Sequence, residues 1–260
     1  MHTLDLSHYQ AVLHKTFSDY PRRDFSIQCI LEGTMCQVIS DHLTHPDVFL
    51  IKNGSFNILG GNPNNANSNS NSNSIINSIP TGTTIHSTPE PWIRKIKSQA
   101  NLTLQTYHRY SFDHASVSIT KLDNILVNTP SNLTLKAIDT DLATRIGGHE
   151  RFAYHFQNYH SQADFLNKGL GFVALYKDTI VGVVSSALVC SSGYETSIMV
   201  LPEYRGKSIG KLLAASFIRA ALLNNKVPHW DAANEVSLNL ATTLGYTLIG
   251  KYPAQKLIKL

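Results

Sequence analysis

The amino-acid sequence predicts an α/β protein. Its C-terminal half is built on a mixed, mostly antiparallel sheet flanked by helices, and its N-terminal half is α+β. Three observations carry this. Runs of strand character follow one another at Gly171–Tyr176, Ile180–Ala187 and Tyr194–Val200. After Pro202 the apolar period turns helical, with Ile209, Leu212, Leu213, Phe217, Ala220 and Ala221 spaced by three and four. In the first half, Val48–Lys52 and Ser55–Leu59 flank Asn53-Gly54, a dipeptide that readily turns a hairpin.

The other elements follow in order. Cys36–Ser40 reads as a strand before the hairpin. Asn62–Ser78 is a polar Asn/Ser tract with almost nothing to bury against the entropy of ordering, so a mobile surface loop is expected, a tolerated insertion. Pro91 sits at a permitted first-turn position of a helix running to Lys97. Leu102–Tyr107 and Ser116–Thr120 alternate as strands, and Asn128–Asn132 reads as a linker. The expected domains are therefore 1–127 and 128–260. In the second, Leu133–Asp139 alternates as a strand, Thr140–Gly147 reads as a short helix, and Phe152–Asn167 reads as another. Lys177-Asp178 turns between the first two strands of the run. Ser237–Leu244 is a helix stopped by Gly245, followed by a strand at Tyr246–Gly250.

Composition narrows the function. A hydrophobic fraction of 42% with 15% charged residues allows a packed core. The net charge of +4 is spread in ones, twos and threes rather than gathered in a stripe, which argues against a nucleic-acid partner and is compatible with an anionic ligand. Cys29, Cys36 and Cys190 are too scattered for a disulfide framework or a zinc site. The N-terminus lacks the pattern of a signal peptide, and no apolar run reaches membrane-spanning length. A cytoplasmic, metal-free protein without a membrane partner is expected. His149, His155 and His160, spaced by six and five, do not share one helical face, and read as surface or packing residues.

Chemistry is concentrated in Val200–Leu213, where a strand ends, a small-residue turn follows and an amphipathic helix begins. The N–H groups of a helix start have no intrahelical partner, and the helix dipole adds positive potential. That combination suits a pyrophosphate. Gly206 and Gly210 let the backbone come close, and Arg205 and Lys207 add charge. A basic surface turn before a core helix is the competing reading of the same residues.

The loop resembles motif A of the GNAT acyltransferases, Gln/Arg-x-x-Gly-x-Gly/Ala: Arg205 and Gly210 match its ends, and Ser208 replaces the middle glycine. Phe165–Phe172, Tyr194–Ile198, Pro228–Asn234 and Leu240–Tyr246 are similar to the GNAT family that includes the zwittermicin A resistance proteins. Val48–Gly61 resembles it more faintly, so a degenerate GNAT-like fold is one reading of the N-terminal half.

The resemblance implies a sheet that splays near Val200 to admit acetyl-coenzyme A as co-substrate. It places the pyrophosphate on backbone N–H groups of Gly206, Lys207, Ser208, Ile209 and Gly210, with Arg205 beside them. Pantetheine is expected along Met199 and Val200, with a further contact at Asn234, whose competing role is a helix N-cap. It makes Glu195 the expected general base, taking a proton from an ammonium acceptor, against the plainer reading of a strand glutamate paired with a neighbouring cation. The tyrosine acid found seven residues after this asparagine in many relatives is Ala241 here, and neither Ser237 nor Tyr246 is assigned in its place. The implied reaction is acetyl transfer to a primary amine, with a small-molecule acceptor favoured. A non-catalytic acyl-coenzyme A binding module and a peptide or protein N-acetyltransferase are the alternatives.

Overall fold

A computed structural model describes residues 1–21, 23–65 and 69–260. The chain forms two compact units, Met1–Arg109 with Lys251–Leu260, and Tyr110–Gly250. The division lies earlier than the expected 127/128, and the first unit also takes the C-terminal segment. The sequence signal at Asn128–Asn132 is a turn inside the second unit.

The first unit begins with β1 (His2–Thr3), α1 (Leu6–Phe17), α2 (Ser26–Glu32), β2 (Gln37–Ser40), β3 (Val48–Asn53) and β4 (Phe56–Gly61). It continues through α3 (Asn69–Asn77), β5 (Thr84–Ile85), α4 (Glu90–Lys97) and β6, which runs Leu102–Asp113 and crosses into the second unit. Strands β1 to β5 are neighbours in order, antiparallel except for β4 with β5. Along β3, Val48 and Leu50 pack with residues of α3 and α4, whereas Phe49 and Ile51 pack with residues of α1 and α2. A strand covered on both faces reads as an unbroken apolar run, which is the Val48–Ile51 pattern. The hairpin forms as expected, with Gly54 at φ +53°.

The Asn/Ser tract departs from the sequence reading. Residues 66–68 lie outside the described residues, but Asn69–Asn77 is helical, not a loop. Ser72, Ile75, Ile76 and Ile79 are fully buried, a stripe at helical spacing, and Ser72 Oγ donates to Pro63 O at 3.0 Å. Three isoleucines anchored in the core of β3, β4 and α4 outweigh the polar composition around them.

The second unit holds α5 (Ile119–Leu126), β7 (Leu133–Ala137), α6 (Thr140–Gly147), a 3₁₀ turn at Ala153–Phe156, α7 (Gln162–Lys168), β8 (Gly171–Tyr176), β9 (Thr179–Val189) and β10 (Gly193–Val200). After a second 3₁₀ turn at Pro202–Tyr204 come α8 (Ile209–Leu223), β11 (Val227–His229), β12 (Asp231–Ala232), α9 (Glu235–Leu244) and β13 (Thr247–Lys259). From Lys251 onward β13 belongs to the first unit, where Gln255 and Lys256 pair with β5. The sheet order is β11-β10-β9-β8-β7, antiparallel except for β10 with β11. Helix α8 buries Leu212, Leu213, Phe217 and Ile218 in a core shared with Leu122 of α5 and Leu244 of α9.

Two local expectations change here. Ser116–Thr120 is not a strand: Ser118 accepts from Lys121 N and caps α5, so the alternation marks a helix start. Phe152–Asn167 is not one helix but the 3₁₀ turn and α7, and Ser161 caps the second piece by accepting from Asp164 N. Among the described residues no helix is long and apolar enough to cross a membrane.

Candidate active site

The site forms where β10 loses its neighbour. Strand β11 is three residues long and runs parallel to β10 with Gly193 opposite Val227, Tyr194 opposite Pro228 and Glu195 opposite His229. The strands touch closely at the start: a Cβ on Gly193 would lie 2.2 Å from Val227 O, so only glycine fits. After His229 the chain leaves, and Asp231–Ala232 pairs with Tyr110–Ser111 of β6. From Thr196 to Val200, β10 has β9 on one side and no pairing with β11 on the other. The opening thus begins just after Glu195, five residues before the expected Val200. The β9–β10 register also shifts between Glu195 and Thr196, a bulge that can re-aim the side chains beside it.

Alternation sorts the faces of β10. Tyr194, Ile198 and Val200 pack into the core with α8, so Glu195, Ser197 and Met199 face the other way. On that face Ser197 lies near the Tyr154 hydroxyl. Its register partner Ser185 bonds His155 Nδ1 at 2.7 Å. Burial pushes His155 down to about 3, so this imidazole is neutral. Of the three spaced histidines, His155 is therefore a buried packing residue, His149 is half-buried and His160 is exposed. Among the described residues no group of three or more His, Cys, Asp and Glu could hold a metal ion.

Glu195 is buried, and its Oε2 lies 2.6 Å from His229 Nδ1. Both atoms are sealed from solvent. Glu195 is thus a buried strand glutamate beside a histidine, at the last register position of β10 with β11. His229 was missed at the sequence level, because nothing in Val227-Pro-His announces a parallel pairing 34 residues away. Tyr246 lies close by, but its hydroxyl donates to Pro228 O at 2.5 Å. Burial, with the charge of Glu195 adding to it, holds that phenol well above its usual range. Ala241 is fully buried and offers no acid.

The turn before α8 leaves its backbone open. Gly206 has φ +75°, and a Cβ there would meet nothing within 4 Å, so open space lies over the backbone. Ser208 is held at φ +59°, with no side-chain bond capping α8. The N–H groups of the first helical turn have no carbonyl within the helix to meet. Arg205 Nε donates to Val200 O at 3.1 Å, tying the loop to the strand end and leaving four further N–H donors on the guanidinium. Lys207 Nζ reaches Glu203 O at 3.4 Å and stands 5.1 Å over the Tyr204 ring. Asn234 lies at the start of α9, where its Oδ1 accepts from Ser237 N at 3.0 Å, so its side chain serves the cap.

A family model for GNAT acetyltransferases matches residues 15–255. The chain belongs to the GNAT acetyltransferase family. A GCN5-related N-acetyltransferase-like protein from Streptococcus suis 89/1591 is similar over 97% of this chain and 99% of its own, with 26% identity and a TM-score of 0.82. The uncharacterized N-acetyltransferase YdfB of Bacillus subtilis (strain 168) is 29% identical over 171 residues, 65% of this chain and 64% of its own length. The match thus spans less than two thirds of that relative. A GNAT-family acetyltransferase from Colwellia psychrerythraea shares the fold over 99% of both chains, at 10% identity and a TM-score of 0.51.

The family is one of acetyltransferases, and its members use acetyl-coenzyme A as co-substrate. The turn fits that group. Open space over Gly206 and the uncapped start of α8 are features that suit an anionic group. The β10 edge past Glu195 has backbone groups unpaired with β11, as pantetheine amides require.

Proposed function

We propose that this enzyme transfers the acetyl group of acetyl-coenzyme A to a primary amine of a small molecule, with proton removal at the Glu195–His229 pair. The observation that carries the reading is the position of that pair. It stands at the point where β10 and β11 part, on the face of β10 turned away from α8. The cofactor roles follow the loop. Backbone N–H groups of Gly206, Lys207, Ser208, Ile209 and Gly210 take the pyrophosphate, with Arg205 beside them. The backbone of Met199 and Val200 takes pantetheine, and since Asn234 spends its side chain on the cap, its backbone takes the remaining contact.

An ammonium acceptor gives one proton to the pair. The neutral nitrogen then attacks the thioester carbonyl, the C–N bond forms and the C–S bond breaks. The second nitrogen proton leaves with the thiolate through water, since Ala241 and Tyr246 supply no acid. The segments that resemble the zwittermicin A resistance proteins support a place in that branch and hence a small amine. Cys29, Cys36 and Cys190, none of them joined in a disulfide, fit the cytoplasm.

Thiol release from acetyl-coenzyme A is to be measured across aminoglycosides, polyamines, amino acids and peptides. Turnover with a small amine is expected. Turnover with peptides alone would shift the acceptor class, and tight binding without release would leave a binding module. No calorimetric binding of acetyl-coenzyme A to folded protein would end the proposal.

A further inference from the structure

We infer that His229, not Glu195, is the group that touches the acceptor amine, with Glu195 as the positioning carboxylate behind it. This rests on the acetyl-transfer reading above and deepens it. Glu195 Oε2 and His229 Nδ1 lie 2.6 Å apart, and since an ionised carboxylate can only accept, a proton shared across that contact is carried on the imidazole nitrogen. In that tautomer the imidazole lone pair is on Nε2. Burial points the same way. The Glu195 side chain is 11% exposed and that of His229 is 18% exposed, while Nδ1 itself is sealed, so the imidazole's remaining surface lies on its other atoms. The fork geometry adds a reason. His229 is the last residue of β11 before the chain turns to β6, at the point where β10 and β11 part.

The step balances. His229 Nε2 takes one proton from the acceptor ammonium, the imidazolium is held by the Glu195 charge, and it returns that proton to solvent after the product leaves. Around this face the other titratable groups are Tyr246, Tyr154, His155 and Asp231. Tyr246 and Tyr154 are raised by burial, the first further by Glu195 and the second eased by Ser197, and His155 is depressed to about 3. None of these three changes charge where an imidazole ordinarily does. Asp231 is two residues along, with one carboxylate oxygen buried.

The test compares His229→Gln, Glu195→Gln and Glu195→Asp in the full chain. Readouts are kcat and KM, acetyl-coenzyme A affinity by calorimetry, and the NMR titration of the His229 ring assigned by its loss in His229→Gln. His229→Gln is expected to lower kcat by about 10²- to 10⁴-fold with acetyl-coenzyme A affinity unchanged. Glu195→Gln is expected to cost less and to move the His229 titration to lower pH, with Glu195→Asp between it and wild type. A larger kcat loss in Glu195→Gln than in His229→Gln, or near-wild-type turnover in His229→Gln, overturns the assignment and makes Glu195 the base. Should wild type bind acetyl-coenzyme A yet acetylate no amine, the acetyl-transfer reading fails by itself. The titration then decides this inference, and a His229 ring indifferent to Glu195→Gln overturns it.

Discussion

At the scale of single residues, the turn before α8 separates what stabilises the fold from what binds the ligand. Gly210 is in the first turn of α8, and a Cβ there would sit at ordinary distances, 3.7 Å from Val200 Cγ2 and 4.0 Å from Leu240 Cδ2. Gly210→Asp therefore fits, and a carboxylate at a helix N-terminus is favourable by about 0.3–1 kcal/mol. The same charge repels a pyrophosphate. Thermal melts should show an unchanged or higher Tm without ligand and no rise with acetyl-coenzyme A, whereas wild type rises because the ligand binds only the native state. A normal ligand shift in Gly210→Asp would remove the turn from the site. His155 makes a second prediction at this scale. Its folded value of about 3 lies below the ordinary 6.5, so between those values the unfolded chain binds more protons than the native one. Its contribution is complete above 6.5 and is lost as pH falls toward 3, by about 1.4 kcal/mol per unit. Burial alone would raise Asp24, but His86 and the hydrogen bonds of Ser26 hold it near 2, so its loss starts only below the ordinary 3.8. Urea midpoints should therefore fall between pH 6.5 and 4.5 in wild type. His155→Gln, which cannot titrate, should show a shallower fall over that window.

At the scale of elements, what the sequence makes legible is what repeats locally. The β8–β9–β10 run and the helical period of α8 are spelled out by alternation and by spacings of three and four, and Gly245 takes φ +107° where α9 stops. The turn before α8 was legible as a turn, since Gly206 at φ +75° stands where a strand gives way to a helix. The Glu195–His229 contact was not, because parallel pairing joins residues through space with no local mark. Nor was α3. A stripe of Ser72, Ile75, Ile76 and Ile79 is short, and the asparagines and serines between its members dominate any composition window. The consequence is testable. Ile76 has no solvent exposure and belongs to the core with Leu50, Leu59 and Trp92. Ile76→Ala should cost about 2–5 kcal/mol, and replacing Asn69–Ile79 by a flexible linker should cost more. Equal urea midpoints for the linker variant and wild type would restore the reading of the tract as a dispensable insertion.

At the scale of the whole molecule, the unit boundaries decide which fragment can fold. A fragment cut at the apparent linker, 128–260, discards α5 and the end of β6. Both belong to the second unit. Leu122 is fully buried in the α8 core, and Phe112 is buried with its ring 6.2 Å from that of Tyr246. Asp123 pairs with Arg219 at 2.5 Å, and Tyr110–Ser111 is the strand that receives β12. Removing a buried leucine and a buried phenylalanine costs about 2–5 kcal/mol each, against a total stability of about 5–15 kcal/mol for a typical domain. Fragment 128–260 also keeps residues 251–260, whose buried Tyr252, Ala254 and Leu257 belong to the first unit and would be left uncovered. Fragment 110–250 keeps the α8 core and the turn intact. It should melt cooperatively and bind acetyl-coenzyme A, while 128–260 should be largely unfolded or aggregated. Circular dichroism melts and calorimetry on the two fragments check this. If 128–260 melts as cooperatively as 110–250, then α5 and the end of β6 contribute little to this core, and the division of the chain belongs at residue 128 after all.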